Sequence, residues 1–523
     1  MKTHLPRPLI TATTATTVTA AAIASLQPFS HTALRANTHT PPSRPNVLFI
    51  ASDDLKPLLG CYGDPIARTP NIDRLAARGI VFQRAYCQQA VCSPTRTSLL
   101  TSRRPDNTKV YDLVTHFRDT IPDAVTLPQY FKQHGYTTQS YGKIFHGNLD
   151  DPRSWTIQKT FKAASRYGPN TTPPPKGVNN RGKAKGGLPW EAPDVPDAML
   201  TDGSVAREAA KTLAALGKDS RENNKPFFLA VGFLVPHLPF VAPKKYWDLF
   251  RDEDIRLPRN YRTQVTNVTP YSGTTWGELR NYIGIPAEGP LSDAQARSMI
   301  HGYYACVSYL DAQIGLLLDT LERENLARNT VIILWGDHGW HLGDHGQWTK
   351  HTNFEQAAHV PLIISAPAAA KTAGRKTRAL VEFLDIYPTL AQLCALPPPP
   401  EVEGTSLVPL IEDPEREWNR AAYSQYPRSG GVMGYSMRTD RYRYTAWYGP
   451  RGTLAAQELY DHQTDDDEDH NIAGAPEHAA LVKQMREHLE TKFPAATKPR
   501  GARSEAGAAK GKKQGKGSSK KKG

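Results

Sequence analysis

With 523 residues, 39% of them hydrophobic, the chain is too long for one minimal domain and suits one large α/β domain and a smaller one. Its formal charge of +13 would suit a polyanion-binding protein, but residues 1–45 hold four basic and no acidic side chains, residues 498–523 ten basic and one acidic, and the body between them 50 of each. A globally basic body is thereby excluded, no nucleic-acid partner is expected, and five cysteines are too few for a disulfide framework in so long a chain.

Lys2 and Arg7 flank the start of an uncharged Ala/Thr-rich stretch, Leu9 to Leu26, which is followed by a Pro-rich segment reaching Pro41 and Pro42. This reads as a secretory signal and linker over residues 1–45 and predicts an exported protein, periplasmic or secreted. Asn46 to Ala51 (NVLFIA) is a short apolar run, predicting a buried strand that carries Asp53 and Asp54 at its C-terminal end. Cys92-Ser93-Pro94-Thr95-Arg96 follows, and Pro94 predicts the first turn of a helix running from Thr95 to Leu100. Residues 148–197, rich in Pro, Gly, Asn and Lys, read as a long surface loop, either covering a site or simply inserted. Phe227 to Phe233 predicts a second buried strand ending near Pro236-His237, and Val331 to Trp335 a third that runs into Gly336-Asp337-His338-Gly339. Between them Tyr303, Val307, Leu310, Ile314 and Leu317 recur at helical spacing within Met299 to Leu321.

Strands alternating with helices predict an α/β fold with a mostly parallel sheet sandwiched by helices over residues 46–395. After the Pro397 to Pro400 breaker the aromatic and charged alternation of Tyr435 to Tyr448 predicts antiparallel strands, hence a smaller α+β subdomain over residues 396–497. The lysine-rich residues 498–523 read as a disordered basic tail. No stretch after the leader reaches the ~18 apolar residues that spanning a membrane needs. Cys61, Cys87, Cys306 and Cys394 read as buried thiols.

Two acidic or acid–imidazole pairs at strand ends, Asp53-Asp54 and Asp337-His338, make an oxygen-rich site for one divalent metal. Either pair alone fits a turn or helix cap equally well; it is their shared position that argues for a site. Cys92 at a helix start would face an anion together with free backbone N–H groups, and Arg96 one turn on could fork onto the nucleophile's oxygen or the metal ligands. Lys143, His146 and His237 fit surface or turn positions when each is taken alone.

Cys92 to Arg96 matches the pattern that marks a cysteine for oxidation to formylglycine. Together with RPNVLFIASDDLKPLLGCYGD, RTPNIDRLA, QQAVCSPTRTSLLTSRRPD, YGKIFH, FFLAVGFLVPHLPF, YYACVSYLD and WGDHGWHLGDHGQWTKHTNFEQAAHVPLI, it gives the chain a resemblance over residues 45–490. The chain resembles the type I, formylglycine-dependent sulfatases of the alkaline phosphatase superfamily, most closely their iduronate-2-sulfatase branch. ELYDHQTDDDEDHNIA matches the C-terminal signature of that family, so the acidic run Asp465 to Asp469 reads as a solvated turn rather than a calcium loop.

The resemblance implies that a maturation enzyme converts Cys92 to formylglycine, whose hydrate attacks sulfur with one oxygen while the other later expels sulfate. It implies a metal, usually calcium, held by Asp53, Asp54, Asp337 and His338 with the modified Cys92. It implies that Arg96, Lys143 and His146 fix and polarise the hydrate, His146 taking its proton, and that His237 and Lys350 bind the ester and protonate the departing alcohol. Trp340, His341 and Trp348 line a sugar subsite or simply pack. The expected substrate is a sulfated carbohydrate, with a 2-O-sulfated uronate as the lead. Residues 148–197 and the basic tail depart from the animal enzymes, and the Ala/Thr-rich leader and lysine-rich tail point to a bacterial source. Two alternatives stay open: a phosphodiesterase or phosphonate hydrolase of the same superfamily, and a non-catalytic binder of sulfated polysaccharide in which Cys92 is unconverted.

Overall fold

The computed structural model describes residues 44–158, 160–171, 187–263 and 265–498, so the expected leader and nearly all of the basic tail lie outside the described residues. Seven strands form the main sheet: β1 (Asn46–Asp53), β2 (Ile80–Tyr86), β3 (Thr137–Gly142), β4 (Phe227–Pro236), β5 (Thr330–Gly336), β6 (His359–Ser365) and β7 (Lys376–Glu382). Their spatial order is β7-β2-β6-β5-β1-β4-β3, and only β6 runs against the rest. The three apolar runs read from the sequence are β1, β4 and β5, adjacent at the centre of the sheet.

Their continuous hydrophobicity follows from burial on both faces. Leu48 and Ile50 of β1, with Ile332 and Leu334 of β5, pack on one side beneath the helices α2 (Thr201–Asn223) and α3 (Asp293–Arg323). Val47, Phe49 and Ala51, with Val331, Ile333 and Trp335, pack on the other beneath α1 (Cys92–Thr101) and α4 (Ile386–Leu393). The helix expected over Met299 to Leu321 is the core of α3, which starts earlier because Ser292 and Gln295 form a capping box.

A second, four-stranded antiparallel sheet follows: β8 (Ala422–Pro427), β9 (Met433–Arg438), β10 (Tyr442–Tyr448) and β11 (Leu454–Asp461). Helix α5 (Ala479–Lys492) covers one face, burying Met433, Tyr435 and Met437 with Val482, Met485 and Leu489. The acidic run is only partly the solvated turn expected. Asp466 is exposed, but Glu468 is fully buried: it accepts from the Arg443 guanidinium and from the Glu355 N–H at 2.7 Å, and faces His462 at 2.8 Å. Arg443 also bonds Glu355, so this buried network ties the second sheet to the loop that leads into β6.

The segment 148–197 is not a plain surface loop among its described residues. Trp155 is buried against Phe145, Ile157 bridges Gln139 of β3, and Trp190–Glu191 pairs with Phe240–Val241. Cys87, Cys306 and Cys394 are buried free thiols as expected, while Cys61 is partly exposed.

At the C-terminal end of β3, Gly142 pairs with Gly232 in the middle of β4, and the two glycines let the backbones meet. Gly142 has φ 66° and a Cβ there would overlap the Gly232 carbonyl oxygen, just where the chain turns to present Lys143. Gly142→Ala is expected to lower unfolding free energy by at least about 2 kcal/mol in a denaturant titration, through both overlap and positive-φ strain.

Candidate active site

Five parallel strands end on one edge of the sheet, where α/β folds place their sites. β1 delivers Asp53 and Asp54, β2 leads to Cys92 at the first position of α1, β3 to Lys143 and His146, β4 to His237, and β5 to Asp337 and His338. Lys350 follows a short hairpin of His341–Leu342 and Trp348–Thr349. The residues expected to hold the metal and flank Cys92 are therefore gathered there.

Arg96 is the hub and is completely buried. Its Nε donates to Asp337 Oδ2 at 2.8 Å, one terminal nitrogen reaches Asp53 Oδ1 at 3.4 Å, and the other donates to the carbonyls of Lys143 and Ile144. It thus forks onto carboxylates rather than onto Cys92. Lys143 bonds Asp53, and Lys350 Nζ bonds both Asp54 oxygens at 3.0 and 3.1 Å while lying 3.8 Å from Cys92 Sγ. His338 Nε2 stands 3.3 Å from Cys92 Sγ and 3.4 Å from Asp54. Asp54 sits at φ 61°, held by its N–H to Asp337 Oδ1 at 3.0 Å and by the Tyr303 hydroxyl of α3 donating to its carbonyl at 2.8 Å.

The cluster could hold a divalent cation, for which the two adjacent carboxylates supply oxygen ligands. One ligand atom from each of Asp53, Asp54, Cys92 and His338 lies within 4.8 Å of the others. Asp337 stands beside them, with Oδ1 accepting from the Asp54 and His338 N–H groups. Burial pushes Asp54 up to about 7, only partly offset by Lys350 and His338 and reinforced by Asp53. Burial works on Asp53 in the same direction, but Lys143, His237, Arg96 and Lys350 together outweigh it and hold that carboxyl well below the usual range. Two adjacent carboxylates of which one resists ionisation are a site short of positive charge.

Cys92 is no thiolate nucleophile. Burial, followed by the charge of Asp53, raises its thiol well above the ordinary value despite Lys143 and Lys350, whereas reactive cysteines need the reverse. His146 has a buried Nδ1 with no hydrogen-bond partner among the described residues, and burial with Lys143 holds the ring down at about 4, so it is neutral and able to accept a proton. His237 Nδ1 donates to the Leu238 carbonyl at 2.6 Å. Burial and Lys350 push this ring down to about 4 as well, with Glu278 and Asp53 opposing.

These groups open into a cavity of about 620 Å³ lined by Cys92, His146, His237 and Lys350. Its remaining wall was not read from the sequence: Leu113, Gly277, Glu278, Asn281 and His351. None of the described residues of 148–197 lines it. Trp340, His341 and Trp348 do not line it either and take their packing role. Trp340 underlies Lys350 at 5.2 Å, His341 bonds Thr352 at 2.9 Å and Trp348 meets Tyr261 edge-on. Asp202 of α2 was also unforeseen; it accepts the N–H groups of Leu234 and Val235 and so fixes the turn that leads to His237.

Comparison with known proteins agrees with this geometry. The family model "Sulfatase" matches residues 45–395, and the model "N-sulphoglucosamine sulphohydrolase, C-terminal" matches residues 343–494. Iduronate 2-sulfatase of Mus musculus is 36% identical over 519 residues, covering 84% of this chain and 93% of the relative; that of Homo sapiens is 36% identical over 505 residues, covering 82% and 90%. Among solved structures, the phosphonate monoester hydrolase of Agrobacterium radiobacter superposes with a TM-score of 0.68 at 24% identity over 87% of this chain and 96% of its own, which shows a shared fold.

Because Arg96 is the buried partner of two carboxylates, Arg96→Met is expected to cost about 3–5 kcal/mol in denaturant unfolding, well beyond the loss of a surface ion pair.

Proposed function

The chain belongs to the sulfatase family and is a sulfuric ester hydrolase with an alkaline phosphatase-like fold, and on that premise we propose that it removes sulfate from a sulfated, uronate-containing carbohydrate after Cys92 has been converted to formylglycine. The observation that carries the reading is the placement of Cys92. It opens α1 at the floor of the cleft, among three carboxylates and three cations, with its thiol held protonated. Such a setting disfavours sulfur chemistry and suits a residue whose reacting atom is an oxygen. The uronate is supported by the resemblance to iduronate 2-sulfatases over more than four-fifths of the chain.

Asp53, Asp54, Asp337 and His338 would hold one divalent cation, proposed as calcium, which with the hydrated aldehyde at position 92 would supply charge neutralisation and an oxygen nucleophile. Within the chain itself, Arg96 keeps Asp53 and Asp337 from repelling one another, and Lys143 fixes the other oxygen of Asp53. Counting Glu278, the cleft holds four carboxyl groups against Arg96, Lys143 and Lys350; with all four ionised, a bound divalent ion would leave the cleft net positive and able to attract a sulfate ester. His146, neutral with a free ring nitrogen, is placed to take a proton beside position 92. His237 and Lys350 also line the cavity and would hold the ester and help protonate the departing alcohol oxygen.

The complete ring of groups around Cys92 favours catalysis over a binding-only role. The phosphonate hydrolase likeness is one of fold, while the high identity is to sulfatases. The leader around Lys2 and Arg7 supports export, and a formylglycine-generating enzyme is the partner that maturation requires. Among the described residues no helix is long and apolar enough to cross a membrane.

Protein whose Cys92 is shown by peptide mass to be oxidised is expected to release sulfate from a 2-O-sulfated uronate, and Cys92→Ala to reduce this by at least about 10³-fold. Phosphate diesters turned over as fast as sulfate esters would sink the reading. Dialysis against a chelator is expected to lower the melting temperature, calcium at about 100 times its Kd to return about 2.7 kcal/mol, and Asp54→Asn to abolish the calcium-dependent shift.

A further inference from the structure

One carboxylate in the cleft is claimed by none of the roles above. Glu278 lies on the loop that precedes the short turn Leu279–Asn281 and stands at its N-cap, yet its side chain makes no capping bond. It points into the cleft instead, where Oε1 lies 3.1 Å from His237 Nε2 and Oε2 3.3 Å from Lys350 Nζ. The carboxylate is thus divided between the two groups placed at the leaving oxygen, and it is far from idle: Lys350 and His237 hold it ionised down to about 2 despite burial.

The loop is built to keep it there. Arg280, two residues on, stacks its guanidinium on the Trp276 ring at 3.1 Å and donates to the carbonyls of Pro286 and Gly289 at 2.8 and 2.7 Å. Trp276 itself is held at φ 42°, a conformation a bulky residue adopts only when its surroundings impose it. At the other edge of the imidazole, Nδ1 is pinned by the Leu238 carbonyl, so Glu278 is the second of two anchors and decides which way Nε2 faces. On Lys350 the pull is shared, since Asp54 holds the same ammonium from the metal side.

We propose that Glu278 is a positioning residue for leaving-group protonation: it aligns His237 Nε2 and Lys350 Nζ on the ester oxygen that departs. This rests on the sulfate-ester reading above. As the S–O bond breaks, its electron pair stays on the leaving oxygen, the Lys350 ammonium or a His237 ring protonated on both nitrogens supplies the proton, and the donor is recharged from water. The need for that proton depends on the alcohol. A sugar alkoxide is a poor leaving group and requires it, whereas a nitrophenolate leaves with little help. A residue that merely stabilised the fold would not distinguish the two.

The experiment compares kcat and KM of wild-type, Glu278→Gln and Glu278→Asp proteins, each with Cys92 conversion confirmed, on a 2-O-sulfated uronate and on 4-nitrophenyl sulfate. Glu278→Gln is expected to lower kcat on the sugar ester about 100-fold and on the aryl ester at least ten times less, with KM on the sugar changed under about 3-fold. Glu278→Asp is expected to recover part of the ratio and decides alone if the Gln variant does not fold. Equal losses on both esters, a change confined to KM, or no loss on the sugar ester would each overturn the proposal. Wild-type protein that releases sulfate from neither ester would instead end the reading it rests on, and the proposal with it.

Discussion

The requirement that governs this structure is that charge buried at the sheet edge must be matched within the protein. Asp53, Asp54 and Asp337 have almost no exposure, and an unpaired carboxylate in such surroundings would cost several kcal/mol. Arg96, Lys143 and Lys350 answer them from three separate parts of the chain: a helix after β2, the end of β3 and a hairpin after β5. Each cation is delivered by an element whose position is set elsewhere, so packing on both faces of the sheet is a condition for the site, and the site in turn ties those elements together.

The same economy holds at the second sheet. Arg443 lies fully buried between Glu355 and Glu468, linking β10 to the acidic turn and to the approach of β6. A guanidinium serves in both places because its planar fork reaches two carboxylates at once, which an ammonium cannot do with the same geometry. The two networks differ in purpose. Arg443 closes a structural joint by pairing with both carboxylates, whereas around Arg96 one of the carboxylates still resists ionisation and Cys92 beside it lines a cavity.

Much of this was legible because apolar runs flanked by charged residues have few interpretations. NVLFIA before Asp53-Asp54, and VIILW before Gly336-Asp337-His338, mark central parallel strands and therefore the edge where their termini meet. The helix at Cys92 was legible from Pro94, and the motif match supplied the roles proposed for Lys143, His146, His237 and Lys350. Glu278, Asn281 and His351 were not legible. They belong to loops with no periodicity, and their place at the cleft depends on a stacked Trp276–Arg280 pair and on a hairpin, both tertiary facts. The acidic run was misread in part because burial of Glu468 depends on Arg443, distant from any local pattern. Residues 148–197 were misread because composition shows polarity but not that Trp155 finds a pocket beside Phe145.

Cys92 is 1% exposed, enclosed by His338 and Lys350 and by the first turn of α1. Another protein's active site has no approach to that sulfur once the sheet edge has closed around it. On the reading proposed above, an enzyme that converts this residue would meet it on the nascent or unfolded chain, in the time the surrounding strands take to assemble. Conversion of Cys92 and folding would then compete, and a chain that folded first would keep the thiol, so the yield of converted protein would be decided by a race and not by an equilibrium.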